Sequence, residues 1–176
     1  MNTPIDTPLE IFISDARIED EPYQCEVRPD KEHEHLLLIY DYWKSKCLEY
    51  GRLPKLSEIE LLDLWQVCKY IFIVDLEGEC DETARLRYRY FGTAVCDFSK
   101  MDMTGKYMDE IFRVSTLAHT TETYITVLKT GLPNVWGWKW NFKEELPRKN
   151  RYTRILVPLL NKEGNPGHLL GIFHQL

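Results

Sequence analysis

The sequence predicts an α+β fold: a five-stranded antiparallel sheet with short helices on one face and a helical flank on its N-terminal side. Three observations lead there. Strand-length runs rich in β-branched and aromatic residues occur near Tyr70, Tyr88, Trp138, Leu156 and Leu170. The first two and the last three are separated by one helical block, residues 93–130, so strands and helices do not alternate as in a parallel βαβ sheet. The last three runs are joined by segments holding Pro, Asn and Gly, residues 143–150 and 161–167, which is hairpin chemistry.

The 176 residues suit one ordinary domain with a flank, and 44% hydrophobic against 28% charged residues suits a packed core. Residues 1–30, acidic and with four prolines, read as an extended arm; 31–66 read as the helical flank and 67–176 as the sheet domain. Within the flank, Leu36, Ile39, Tyr40, Trp43, Cys47 and Tyr50 recur at three- and four-residue steps, which puts them on one helix face; Gly51 and Pro54 end the helix. Ser57 and Glu60 form a capping-box pattern that predicts a second, short helix from about Glu58. Tyr70 to Val74 is apolar at every position, as in a central strand. In Arg85 to Phe91, Leu86, Tyr88 and Tyr90 alternate with Arg87 and Arg89, predicting one buried and one wet face. Thr93 is placed to cap the next helical turn. Leu117, Thr121, Tyr124, Ile125 and Leu128 share a face of a longer helix that Gly131 and Pro133 end. Three strands, 134–142, 152–160 and 168–174, complete the chain.

Charge and cysteines narrow the class. A net charge of −6, from 22 basic and 28 acidic residues, argues against a nucleic-acid or anionic-membrane partner. Five cysteines, odd in number and never in a C-x-x-C pair, read as free thiols in a reducing cytoplasm. The start of the chain lacks a signal-peptide pattern and no apolar run is long enough to span a bilayer, so a cytoplasmic location is expected.

The β-β-helices-β-β-β order is the layout of a PAS domain, and the text resembles a bacterial PAS family best known from alphaproteobacteria, often as single-domain proteins. The residues that carry the resemblance are Trp43, Arg52-Leu53-Pro54, Ile71-Phe72-Ile73-Val74-Asp75 and Tyr88-Arg89-Tyr90-Phe91-Gly92-Thr93. Thr104-Gly105-Lys106, Asp109-Glu110, Thr130-Gly131-Leu132-Pro133 and Val157-Pro158-Leu159 continue it. The turn after Pro158-Leu159 departs from it, reading Asn161-Lys162-Glu163-Gly164 where the family carries Asp-Gly. The resemblance implies a sensor that acts through another polypeptide, and flanking helices that associate in pairs.

Catalytic and metal chemistry find no local support. His33 and His35 are two apart, off a common helix face and without further ligands at zinc spacing; no nucleophile elbow or phosphate loop occurs. No catalytic and no metal residue is assigned. Val95-Cys96-Asp97-Phe98-Ser99-Lys100 shares only Cys and Phe with the flavin-photochemistry motif, so flavin is rejected. His119 is the one candidate haem ligand; a single helical His is more often structural, so haem is disfavoured too and the cofactor stays open. Trp136, Trp138, Trp140 and Phe142 alternate along one side of a strand, as a core face, a ligand pocket or a partner surface. Arg87 and Arg89 either hold an acidic ligand or occupy the wet strand face.

The expected function is therefore a non-catalytic regulatory module that binds a small molecule or a signalling protein. A ligand-free scaffold or dimerisation module is the alternative, and a small enzyme a further one. Ligand-pocket candidates are Tyr88, Tyr90, His119, Tyr124 and Trp138. Interface candidates are Leu36, Ile39, Tyr40, Trp43, Trp136 and Trp140. The first helix is expected to leave its stripe incompletely covered by the sheet and to pair with a second copy as a homodimer.

Overall fold

A computed structural model describes residues 34–81, 83–111, 114–138 and 152–175; the side chains of 114–119, 136–138, 152 and 175 lie outside that description. Helix α1 (Glu34–Tyr50) is followed by three 3₁₀ turns, Leu56–Glu58, Leu61–Leu64 and Cys68–Tyr70. Strands β1 (Ile71–Glu77) and β2 (Arg85–Phe91) come next, then α2 (Thr93–Ser99), α3 (Met108–Ile111) and α4 (Val114–Thr130). Strands β3 (Asn134–Trp138), β4 (Tyr152–Leu160) and β5 (Pro166–Gln175) finish the described chain. The sheet order is β2-β1-β5-β4-β3 and every pairing is antiparallel. This is the architecture the pattern predicts, with β1 central between β2 and β5.

The sheet is covered on both faces, which explains the unbroken apolar runs of β1 and β4. Its inner face carries Phe72, Val74, Leu156 and Leu169 against Val95, Met108, Tyr124, Ile125, Val127 and Leu128 of α2–α4. Its outer face carries Ile71, Ile73, Ile155, Val157, Leu159, Leu170 and Ile172 against α1. Burying side chains of this size contributes about 1.5–3 kcal/mol each before conformational entropy is charged against it.

The coverage of α1 corrects the expectation that its stripe lacks a complete partner within the chain. Leu36, Ile39, Trp43 and Cys47 are all buried on the outer face, and Tyr40 is half-buried beside them. The outer face is apolar beneath the helix, Val135 of β3 being buried there with the rest, while Arg87 of β2 is engaged with Asp75 and Glu77. Trp43 also ties the helix down: its Nε1–H donates to the Pro158 carbonyl at 2.9 Å. The pairing of β3 with β4 extends only to Leu156, so Pro158 lies past it, where a strand can hold a proline. There the chain itself continues the edge, with Leu160 N–H donating to Pro54 O at 2.9 Å.

Two local expectations change. The Ser57–Glu60 capping box does not form; Glu58 does the capping instead, accepting from the Lys55 N–H at 2.7 Å and from the Arg52 fork at 2.6 and 2.9 Å. The segment then closes as 3₁₀ turns rather than an α-helix. At α2 the N-cap is Gly92, with Thr93 already helical; a Cβ on Gly92 would stand 2.3 Å from the Lys69 carbonyl oxygen, so only glycine fits that crossing.

Candidate functional site

Tyr88, Tyr124, Arg154 and Asn134 meet on the inner face, inside an otherwise apolar layer. Strand alternation carries Arg154 to this face with Leu156, and Asn134 arrives beside it because β3 pairs Asn134 with Leu156 and Trp136 with Arg154. Helix α4 brings Tyr124 down from above. The Arg154 guanidinium carbon lies 5.2 Å from the Tyr124 ring centroid, and its Nη2 reaches Asn134 Oδ1 at 3.5 Å. Tyr88 and Arg154 both act on the Tyr124 hydroxyl. Arg154 is only 9% exposed and Asn134 and Tyr124 are essentially sealed.

The electrostatics are those of a dry site. Burial holds the Tyr124 hydroxyl above the usual tyrosine range, with the Arg154 charge and the polar groups of Tyr88 and Arg154 pulling the other way. A guanidinium within cation–π range of a phenol, in a low-dielectric layer, makes each hydrogen bond here stronger than in water. Around it Phe72, Tyr88, Phe91 and Phe173 form an aromatic shell, with ring centroids 5.0–6.4 Å apart. Few directional polar groups in an apolar, aromatic surround is the composition of small-molecule sites.

Of the five pocket candidates, the structure brings Tyr88 and Tyr124 together. Tyr90 goes to the other face, which corrects the alternation read for that strand. Ile73 pairs with Tyr90 but Val74 pairs with Tyr88, so Arg89 is an extra residue in a β-bulge and the faces switch there. Tyr90 packs on the outer cluster, and its hydroxyl donates to the Cys68 carbonyl at 3.3 Å. The side chains of His119, Trp136 and Trp138, and all of Trp140, lie outside the described residues. Arg154 was missed. Its signal was available: it is the one charge in the run Thr153 to Leu160, whose other residues fill both faces.

The bulge also explains the two arginines of β2. Arg89 Nε donates to Asp75 Oδ1 at 2.8 Å and Arg87 Nη2 reaches Asp75 Oδ2 at 3.5 Å. His168 Nδ1 lies 2.8 Å from Asp75 Oδ1. The acid they hold belongs to the chain itself. Burial pushes the Asp75 carboxyl up, and the hydrogen bonds from His168 and Arg89 outweigh it and hold the group below the ordinary aspartate range. The free edge of β2 is covered by the Thr104-Gly105-Lys106 segment: Gly105 N–H donates to Tyr88 O at 2.7 Å, and Tyr88 N–H to Lys106 O at 3.0 Å.

The sequence profile of the PAS domain family matches residues 31–174. The chain belongs to the PAS domain family. The matched region takes in α1 as well as the sheet. Among solved structures, a sensory box sensor histidine kinase from Vibrio cholerae is similar at 14% identity and a TM-score of 0.42, over 65% of this chain and 90% of that one. No curated protein matches the chain. Among the described residues no helix is long and apolar enough to cross a membrane.

Proposed function

We propose that this PAS domain is a non-catalytic, cytoplasmic regulatory module that binds a small molecule on the inner face of its sheet and signals to another polypeptide. One observation carries the reading: the Arg154–Tyr124–Tyr88–Asn134 cluster, buried in an aromatic layer between the sheet and α4. A ligand with an apolar body and a hydrogen-bond-accepting end suits that surround. Ligand occupancy there acts on α4 and β4 together, and β4 also carries Pro158, the anchor of α1. A change on the inner face thus has a short path to the helix on the outer one.

Native mass spectrometry of freshly purified protein tests this. The wild-type chain carries a small-molecule adduct, and Arg154→Met and Tyr124→Phe lose it while keeping a cooperative melt. A wild-type chain with no adduct, whose melting point no metabolite pool raises, refutes ligand binding and favours the ligand-free scaffold reading. That second reading has its own support: Phe72, Met108, Tyr124 and Leu128, all nearly inaccessible, fill much of the inner layer.

A further inference from the structure

Three aromatic rings meet where α1 begins, on the outer face and away from the proposed ligand site. His35 lies in the first turn of α1, His174 near the end of β5, and Tyr70 just before β1. The ring centroids of His35 and His174 are 4.3 Å apart, with Tyr70 at 5.1 Å from the first and 5.8 Å from the second. Register explains the meeting. Strand alternation puts His174 on the outer face with Leu170 and Ile172, and Tyr70 packs on that same cluster. His35 comes down beside Leu36 and Ile39, which α1 buries there. Across β4, His174 is paired with Thr153, which is fully buried. His35 Nδ1 and Thr153 Oγ1 are sealed from solvent and make no hydrogen bond among the described residues.

The surroundings of the pair favour neutral rings. From the 3₁₀ turn, Lys69 sets its ammonium 4.9 Å from the Tyr70 ring centroid. On the sheet side β4 offers the neutral Thr153, and β3 offers Gly137, which pairs with Thr153. On α1 the acid of the first turn is Glu34, exposed to solvent, and the unpaired N–H groups of that turn present the positive end of the helix dipole. An imidazolium carries a proton on both nitrogens. Charging His35 therefore puts a donor at the buried Nδ1, which has no acceptor among the described residues. Charging both histidines sets two cations in ring contact. We infer that the His35–His174 pair is an acid-released latch: neutral, it holds the first turns of α1 on the sheet, and protonated, it lets them go. The closed latch binds fewer protons than the open one. It is therefore favoured above the ordinary histidine range, about pH 6.5, and lost as pH falls through it. Release lifts Leu36 and Ile39 and uncovers the apolar outer face, while the Trp43 bond to Pro158 keeps the rest of the helix in place. The input is pH, and the response needs no ligand on the inner face.

Hydrogen exchange read by mass spectrometry on the full chain, from about pH 7.5 to about pH 5.5 with intrinsic exchange rates divided out, tests it. One extra proton bound on opening raises the opening constant about tenfold per pH unit below the histidine range. Peptides covering residues 34–40 show that rise in the wild-type protein, and peptides from β1 do not. His35→Phe and His174→Phe keep a ring in place and remove the charge, so each melts cooperatively and abolishes the rise. His33→Gln and His168→Gln keep it. Should a phenylalanine variant fail to fold, histidine ring signals followed by NMR in the wild-type chain decide, since the titration midpoint of the His35 ring has to coincide with the midpoint of the exchange. Exchange of residues 34–40 that is independent of pH overturns the inference. So do a rise that survives in both phenylalanine variants, one that His168→Gln removes, and a ring midpoint that departs from the exchange midpoint.

Discussion

Gly171→Ala sets two known effects against each other, and the structure decides the sign. Alanine is favoured over glycine in a strand by about 0.5–1 kcal/mol, through the entropy of the unfolded chain. Gly171, however, pairs directly with Phe72 of β1, and the phenylalanine ring lies over it. A Cβ at position 171 would stand 2.2 Å from Phe72 Cζ, and 2.6 and 2.7 Å from the Cε atoms, where carbon atoms prefer about 3.5–4.0 Å. The overlap exceeds what bond-angle relaxation absorbs, so the ring has to leave. It has little room, being fully buried with Tyr88, Phe91 and Phe173 at ring-centroid distances of 6.1, 6.4 and 5.3 Å. Overpacking costs about 1–3 kcal/mol and full loss of a phenylalanine's packing about 3–5 kcal/mol. We expect a net destabilisation of about 2–4 kcal/mol. With a urea slope of about 2 kcal/mol/M, the unfolding midpoint falls by about 1–2 M. Phe72→Leu relieves the overlap, so the double variant should be more stable than the sum of the single effects. A Gly171→Ala midpoint at or above wild type, or strict additivity with Phe72→Leu, would refute the reasoning.

Three further expectations follow from named contacts. Trp43→Phe removes the donor to the buried Pro158 carbonyl and should cost about 1–3 kcal/mol in chemical denaturation; an unchanged midpoint would mean that α1 is not anchored there. Glu58 is held down to about 2 chiefly by its hydrogen bond to Arg52. Its folded value lies below its unfolded one, so its contribution is present above about pH 4.5 and is lost as pH falls towards about 2. In acid titrations followed by circular dichroism, Glu58→Gln should flatten the decline of stability across that window, and an identical slope would count against the clamp. Burial pushes the Cys47 thiol up to about 12, so peptide mass spectrometry should find Cys47 unmodified by iodoacetamide at pH 8 in the native protein and modified in denaturant; rapid native labelling would contradict the packing of α1.

Periodicity and turn chemistry were enough to determine the strands, the apolar run that marks β1 as an inner strand and the helical block of residues 93–130, because each of these is set by neighbours in sequence. Tyr88 and Tyr124 could be assigned to buried faces from strand and helix patterning alone, and they meet on the inner face. The rest depended on contacts between distant segments. A single extra residue at Arg89 reverses the faces of β2, sending Tyr90 outward and Tyr88 inward, and a bulge has no periodic signature. Whether the stripe of α1 met the sheet or a second chain rested on the polarity of a face assembled from four strands, and on an indole reaching a carbonyl 115 residues away. Arg154 gained its role only when β3, β4 and α4 came together around it. Local propensity is written along the chain; burial, register and partners are properties of surfaces that exist only once the chain has closed on itself.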